Sequence, residues 1–252
     1  MAQNEELPKT WIDDYLIHSY EIDLKGQVSI PVLCRYMQES AWHHAEHLEV
    51  GYSHLSKKNM IWVLAQQYFK IVRLPQWGEK IEIHTWPSGR GKLSYYRDFR
   101  VIDHKERIIA AATTRWFALD IKSRRPQNID HLFEYDFDAA DHAVSHKFKK
   151  IEPSNDVKPC REFSVLYSDL DVNGHVNNTH YIDWILDSFT LKFRKLHILK
   201  EIEINFLAEA GYDDRIVVSI EESKNGIFIN SLKRASDDRE ISRARSKWSS
   251  IL

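Results

Sequence analysis

The chain has 252 residues, of which 43% are hydrophobic, enough for one large domain or two of ordinary size. Its 35 Lys and Arg nearly balance its 37 Asp and Glu, so the formal net charge is only -2. This balance provides no overall field that would attract nucleic acid or an anionic membrane surface. Cys34 and Cys160 lie far apart without metal-ligand spacing, which excludes a disulfide scaffold and suits a reducing compartment.

The first residues show no targeting pattern. Residues 1–9 are polar and acidic, with neither the apolar run of a signal peptide nor the Arg- and Ser-rich composition of a transit segment. No apolar run along the chain reaches the length of a membrane span. The sequence therefore predicts a cytoplasmic protein that neither spans a membrane nor binds nucleic acid.

The first half of the chain predicts one helix followed by several strands. A loose alternation predicts a strand over residues 11–24. Pro31 suits a first helical turn, and apolar residues at helical spacing extend that helix to near Gly51. Four further strands are predicted over residues 60–72, 79–86, 93–103 and 107–121. This order is typical of an α+β unit in which an antiparallel sheet wraps a single helix.

A polar, proline-interrupted connection precedes a second series of the same kind. Residues 122–160 are polar and charged, and a short helix is predicted within them over residues 138–146. The order then restarts, with a strand at 163–167, a helix at 178–196, and strands at 198–207, 215–222, 226–235 and 240–249. We therefore predict an N-terminal unit over residues 1–135, a linker over 136–160 and a C-terminal unit over 161–252.

The two series also match residue by residue. A shift of 148 residues places Asp171 over Asp23 and Gly174 over Gly26, and a shift of 133 places residues 207–211 over 74–78. The matches, together with the repeated element order, predict an internal duplication. The copies differ at positions that bear chemistry: Asn173 faces Lys25, His175 faces Gln27, and Glu209 faces Gln76. The simplest inference is that only the second unit holds a working site.

A polar loop in the second unit is the strongest functional signal. Residues 169–178 contain two carboxylates, three carboxamides and an imidazole, and an apolar helix follows directly. Asn177 and Asn178 can cap this helix. Asp, Asn and Gly are common in any turn between a strand and a helix. A turn does not, however, require the pattern Asp-x-Asn-x-His before a buried helix. The loop therefore indicates a site where the positive end of a helix can stabilise an anion formed during a reaction.

The same stretch resembles the signature of a known family. Residues 168–178, with Tyr181 and residues 184–186, closely resemble the acyl-ACP thioesterases of plant plastids and bacteria. Similar motifs occur in the family's order in the first half: Met60-Ile61-Trp62-Val63, Pro75-Gln76-Trp77-Gly78, Thr85-Trp86, Arg97-Asp98, Thr113-Thr114-Arg115-Trp116 and Arg124-Arg125-Pro126. The resemblance implies a double hotdog fold, that is, two sheets each wrapped round a helix in one chain.

The resemblance also implies an activity. Members hydrolyse the thioester between a fatty acyl chain and acyl carrier protein (ACP) in fatty-acid biosynthesis, and they need no cofactor or metal. The first unit would house much of the acyl chain. The family's working residues correspond here to Asp171, Asn173, His175 and Glu209. Plant members often carry a Cys directly after that Glu, and Ala210 at this position excludes a thiol mechanism there.

The chemistry of a thioester suggests a role for each residue. The leaving thiol has a pKa of about 8.5, so the main tasks are to activate a water and to stabilise the oxyanion. We hypothesise that Asp171 and Glu209 act as the general base, with Asp171 as nucleophile the main variant. Asn173 would fix the water or the carboxylate, and His175 would orient the network. The backbone amides of Val176 and Asn177 would face the carbonyl oxygen.

Partners and alternatives follow from the remaining residues. Arg97, Arg124 and Arg125 are candidate docking residues for an acidic carrier protein. His43 and His47 have the spacing of a metal pair, but His44 stands where a zincin needs Glu, so no metal is predicted. A hotdog hydrolase of acyl-CoA and a catalytically silent acyl-binding regulator remain as alternatives. Chain length, unsaturation, the identity of the base, and the choice between monomer and homodimer stay open.

Overall fold

The computed structural model describes residues 9–133, 141–154 and 156–251. The first half contains β1 (Trp11–Leu16), α1 (Ile30–His47), α2 (Tyr52–Leu55), β2 (Met60–Ile71), β3 (Lys80–Arg90), β4 (Tyr95–Asp103), β5 (Ile108–Asp120) and β6 (Pro126–Gln127). The second half contains β7 (Lys158–Ser164), α3 (Asn178–Asp187), α4 (Leu191–Leu196), β8 (His197–Phe206), β9 (Arg215–Glu222), β10 (Ile227–Arg234) and β11 (Arg239–Ser250). Helix then strands is thus the order of both halves, as predicted.

All eleven of these strands belong to one antiparallel sheet. Its order is β1-β3-β4-β5-β2-β8-β11-β10-β9-β7, with β6 beside β5. The halves join where β2 pairs with β8, with Tyr68 opposite Glu203. Helix α1 packs against β3 and against α3. The predicted α+β architecture of two tandem hotdog units is therefore confirmed, and the two units share one sheet.

The main hydrophobic core lies between the sheet and the helices, and a smaller cluster contains Leu55, Tyr95, Ala118 and Ile129. Side chains of α1 such as Leu33 and Met37 are buried at helical spacing, and α3 contributes Ile182 and Ile185 from the other half. Residues of both halves therefore form a single cluster, and burial of this apolar surface is the main stabilising contribution that links them. None of the helices in the described ranges has the length and hydropathy that a membrane span requires.

Two predicted elements are shorter in the structure. The predicted strand 11–24 ends at Leu16, because Ser19–Glu21 form a 3-10 turn in which the Glu21 carboxylate accepts the His18 N–H at 2.8 Å. The predicted helix 178–196 breaks between α3 and α4. There the Ser188 hydroxyl donates to the Ile185 carbonyl at 2.6 Å, and the Thr190 hydroxyl caps α4. Hydroxyl groups that compete for backbone partners explain this break.

The connection between the halves packs on the sheet face opposite the helices. Residues 138–140 of the predicted short helix lie outside the described residues, and 141–146 are not helical. Instead, Trp86 Nε1 donates to the Asp141 carbonyl at 2.9 Å, and the Ile151 N–H donates to Asn205 Oδ1 at 2.9 Å. Strand β7 begins inside the predicted linker 136–160. The unit boundaries themselves stay a prediction.

Candidate active site

The polar loop before α3 is held by its own backbone. The Asp171 N–H donates to the His175 carbonyl at 2.8 Å, and the Gly174 N–H donates to the Asp171 carbonyl at 3.0 Å. Gly174 has a φ of +75°, which side chains rarely adopt, so glycine suits this turn. The Asn173 N–H donates to Asp171 Oδ1 at 2.8 Å. This bond orients the carboxylate of Asp171 and occupies one of its two oxygens.

The loop is joined to the start of α3 by capping contacts. The Asn177 side chain accepts the Thr179 N–H at 3.0 Å and thereby caps the helix, as predicted. Asp169 accepts the Leu166 N–H at 2.8 Å through its side chain. Its carbonyl accepts the Asn177 N–H at 2.8 Å. Asp169 therefore serves the architecture of the loop.

Glu209 reaches the loop from the segment between β8 and β9. On either side of it, the Tyr181 hydroxyl donates to the Ala208 carbonyl at 3.5 Å and accepts the Ala210 N–H at 3.2 Å. Burial raises the pKa of Tyr181, so its hydroxyl keeps the proton that it donates. Oε2 of Glu209 lies 3.4 Å from Nε2 of His175. The structure thus brings together two predicted site residues that are distant in sequence.

A large cavity opens onto these side chains. Its volume is about 1520 Å³, and its lining includes all four predicted catalytic residues: Asp171, Asn173, His175 and Glu209. The first unit contributes mainly apolar and aromatic walls, including Ala41, Trp42, Val63, Tyr95 and Trp116. The cavity therefore extends from the polar loop of the second unit along α1 and the strands of the first unit.

The predicted oxyanion donors are corrected by the structure. The Val176 N–H donates to the Ala210 carbonyl at 3.0 Å, and the Asn177 N–H donates to the Asp169 carbonyl at 2.8 Å. Both amides therefore hold the loop in place and are not free to bind a carbonyl oxygen. They are engaged because the loop pairs with its flanking segments before α3 begins. Both residues nevertheless line the cavity.

The three predicted docking arginines occupy different surroundings. Arg97 is half-buried in the cavity wall, with Nη1 3.2 Å from both Thr85 Oγ1 and His44 Nδ1. Its position on β4 directs its guanidinium toward α1, and its docking role stays a prediction. Arg124 is exposed and forms an ion pair with Glu209. Arg125 is exposed, and its docking role stays a prediction.

The structure confirms the matched polar loops but corrects one part of the sequence superposition. In the first unit the N–H groups of Val72 and Arg73 donate to Ile109, and in the second those of Leu207 and Ala208 donate to Ile241. These equivalent positions are 135 residues apart, not 133. Glu209 therefore corresponds to Leu74 and not to Gln76. The inference that the first copy lacks this carboxylate still holds.

No metal centre accompanies these groups in the described part of the chain. There, no cluster of three or more His, Cys, Asp or Glu side chains could hold a metal ion. Of the histidine pair with metal-type spacing, His43 contacts the Asp13 carboxylate at 2.9 Å, and the His47 ring lies tilted against Trp11 with 5.4 Å between the ring centroids.

Comparison with known proteins identifies the family. The family model described as the acyl-ACP thioesterase N-terminal domain matches residues 8–134, and the one described as the C-terminal domain matches residues 152–250. The chain belongs to the acyl-ACP thioesterase family. A palmitoyl-acyl carrier protein thioesterase from Gossypium hirsutum is 31% identical over 258 residues, covering 93% of this chain and 62% of that protein. The chain spans about three fifths of the length of this and other curated relatives.

Two solved structures have the same fold. An acyl-ACP thioesterase from Bacteroides thetaiotaomicron superimposes with a TM-score of 0.89 at 24% identity, over 96% of this chain and 98% of the other. A 12:0-ACP thioesterase from Umbellularia californica gives a TM-score of 0.83 at 23% identity, with coverage of 96% and 98%. The tandem architecture of this chain is therefore that of solved members of the family.

Proposed function

We propose that this protein hydrolyses fatty acyl-ACP to a free fatty acid and ACP in fatty-acid biosynthesis. The observation that carries the proposal is the convergence of Asp171, Asn173, His175 and Glu209 on one cavity with apolar walls. An acyl chain needs such walls, and a thioester needs the polar groups at one end. Relatives named palmitoyl- and oleoyl-acyl carrier protein thioesterases support the same activity.

The geometry supports a hydrolytic step at the polar end of the cavity. A water attacks the thioester carbonyl carbon, its proton passes to a carboxylate, and the carbon–sulfur bond breaks with departure of the thiolate. Asp171 suits the base because one of its oxygens is oriented by the Asn173 N–H, which leaves the other for the water. Glu209 suits the role of the base or that of a partner of His175, because its Oε2 lies 3.4 Å from Nε2 of His175. Direct attack by Asp171 remains the main variant.

The developing oxyanion requires a donor other than the Val176 and Asn177 amides. The Asn173 side chain is exposed and lines the cavity next to Asp171, and His175 lies on the same wall. We assign the oxyanion contact to the carboxamide of Asn173 or the imidazole of His175. Loss of one such donor typically costs about 2.7–4 kcal/mol of transition-state stabilisation, so either residue would contribute strongly.

The first unit supplies the acyl-chain site in this proposal. Trp42, Val63 and Trp116 lie in cavity walls on α1, β2 and β5. Apolar walls of this kind bind a hydrocarbon chain through burial of its surface. Carrier docking at Arg125, a cytoplasmic location, and a monomeric or homodimeric state stay predictions.

The test is thiol release from a chain-length series of acyl-ACPs, with the matching acyl-CoAs alongside. Preference for the carrier-protein thioesters supports the proposal and gives the chain length at once. Preference for acyl-CoA would retain the chemistry and replace the partner. Binding of both without turnover would contradict hydrolysis and favour a silent acyl-binding protein.

A further inference from the structure

The turn between β5 and β6 of the first unit carries Arg124 toward the second unit. Arg124 has a φ of +56°, its N–H donates to the Asp120 carbonyl at 2.9 Å, and the Asp120 N–H donates to the Arg125 carbonyl at 3.1 Å. The Asp120 carboxylate accepts the backbone N–H and the hydroxyl of Ser123 at 2.7 and 2.8 Å. The turn is therefore held by its own hydrogen bonds, and the Arg124 side chain starts from a defined point.

The guanidinium of Arg124 ends on Glu209. Its Nη2 contacts Oε1 of the carboxylate, while Oε2 of the same carboxylate lies 3.4 Å from Nε2 of His175. The backbone around Glu209 is fixed within the second unit by Tyr181, but the side chain itself is 41% exposed. A glutamate this exposed can adopt several rotamers. In the structure its carboxylate contacts Arg124 through one oxygen and faces His175 with the other.

We propose that Arg124 is a positioning residue of the active site, which acts through Glu209 by holding its carboxylate against His175. The inference rests on the thioesterase function proposed above, and it replaces carrier docking as the role of Arg124. The guanidinium carries a permanent positive charge, so its single contact with Oε1 is a charge-assisted hydrogen bond that holds the carboxylate in place. An exposed ion pair adds little to the stability of a fold. Its loss should therefore appear in turnover and not in unfolding.

Lys122 provides a matched control. It is exposed on the same turn, where its charge interacts with the Asp120 carboxylate. It carries the same charge as Arg124 without reaching Glu209. Substitution of Lys122 changes the charge of the turn and leaves the contact with Glu209 in place.

The experiment separates positioning from docking by using two substrates. Thiol release is measured with an acyl-ACP and with the N-acetylcysteamine thioester of the same acyl chain, which has no carrier protein. Arg124→Gln should lower kcat on both by roughly tenfold, as loss of an orienting partner typically does, with an unchanged KM for acyl-ACP and an unchanged Tm. Arg124→Lys should recover much of this loss, and Lys122→Gln should keep the wild-type kcat on both.

A double variant tests whether Arg124 acts through Glu209. In a Glu209→Gln background, Arg124→Gln should cause no further loss of the residual rate. Additive losses would overturn the proposal. A raised KM for acyl-ACP with a normal kcat, or wild-type turnover of the N-acetylcysteamine thioester, would also overturn it and assign Arg124 to docking.

A crystal structure of Arg124→Gln provides a readout that does not need activity. The Glu209 carboxylate should leave His175, and an unmoved carboxylate would overturn the inference even if the wild type hydrolyses thioesters. A wild type that turns over neither substrate would contradict the proposed function, while the position of Glu209 in the variant crystal would still decide the inference.

Discussion

The polar loops of the two units have the same backbone and different chemistry. In the first unit the Lys25 N–H donates to Asp23 Oδ1 at 2.8 Å, as the Asn173 N–H does to Asp171 Oδ1 in the second. The N–H of each aspartate donates to a carbonyl four residues on, and each loop has a glycine at positive φ. The aspartate and the glycine therefore specify the turn. The side chains around them distinguish the candidate active site from the first copy.

The surroundings of the two loops differ as well. The second loop opens onto the cavity of about 1520 Å³, whereas the cavity beside the first is about 120 Å³. There Lys25 Nζ donates to the His197 carbonyl at 2.7 Å and so closes the space between the units. The comparison indicates that an aspartate in this turn is structural by default. In the proposed function it takes part in the reaction where a cavity, an imidazole and a second carboxylate surround it.

The largest expected effect is the difference in turnover between substitution of Asp171 and substitution of Asp23. Asp171→Asn should lower turnover by at least roughly a thousandfold, because it removes a group of the reacting centre. The amide oxygen can still accept the Asn173 N–H, so Tm should change little. Asp23→Asn makes the same change in the other loop and should leave the rate close to that of the wild type. If the rate of thiol release fell equally in the two variants, Asp171 would be needed for the fold and not for the reaction.

The next effect tests the imidazole. His175→Gln gives the second loop the residue that the first has at Gln27, and it should lower kcat by roughly a hundredfold, the lower range for loss of an oxyanion donor. The measurement is kcat for acyl-ACP, with circular dichroism as the control for folding. A variant with near-normal kcat would remove His175 from the mechanism and weaken the contrast between the copies.

A smaller effect is expected from loss of the Tyr181 hydroxyl, which holds the backbone on either side of Glu209. Tyr181→Phe removes the hydroxyl between Ala208 and Ala210 and leaves the buried Ala210 N–H without this partner. Urea unfolding should show a loss of about 1–3 kcal/mol, and kcat should fall because Glu209 is less well held. Tyr212→Phe is the control, since that side chain is 60% exposed. Unchanged stability and rate for Tyr181→Phe would contradict this role.

The smallest effect concerns pH and an ion-pair cluster of the first unit. Hydrogen bonds from Arg107 and Arg73 hold the pKa of Asp103 below its usual value, and Arg73 does the same for Glu79. Lowered pKa values in the folded state add stability above about pH 4, and this stability is lost as pH falls through the folded-state values. Arg73→Gln should therefore lower stability at pH 7 and flatten its decline in acid.

Urea midpoints measured between pH 7 and pH 3 test this expectation. Arg215→Gln, which breaks an exposed pair with Glu162, should leave the acid decline as in the wild type. A wild-type slope in Arg73→Gln would contradict the linkage. In the structural correspondence Arg73 lies at the position of Ala208, so the first copy has an ion-pair cluster where the second has the segment of Glu209.

Local patterns predicted the elements and the polar loop. Proline at the start of α1, alternation along the strands and the asparagine cap of α3 act within a few residues, so they can be recognised in one sequence. The Asp-x-Asn-x-His loop is equally local, because its hydrogen bonds close on themselves. The duplication was visible for the same reason. The position of the break between α3 and α4 was missed, because it depends on hydroxyl groups that compete with helix bonds.

The sequence by itself determined the two-unit α+β order and the polar loop, and it predicts which copy is equipped for chemistry. The tertiary structure decided the rest, because those features depend on distances between segments far apart in the chain. It made Glu209 the equivalent of Leu74 in the first unit, engaged the Val176 and Asn177 amides in backbone pairing, and turned Arg97 toward α1. It also brought Arg124 of one unit to Glu209 of the other. Pairing of β2 with β8 creates this proximity, and no local pattern encodes it.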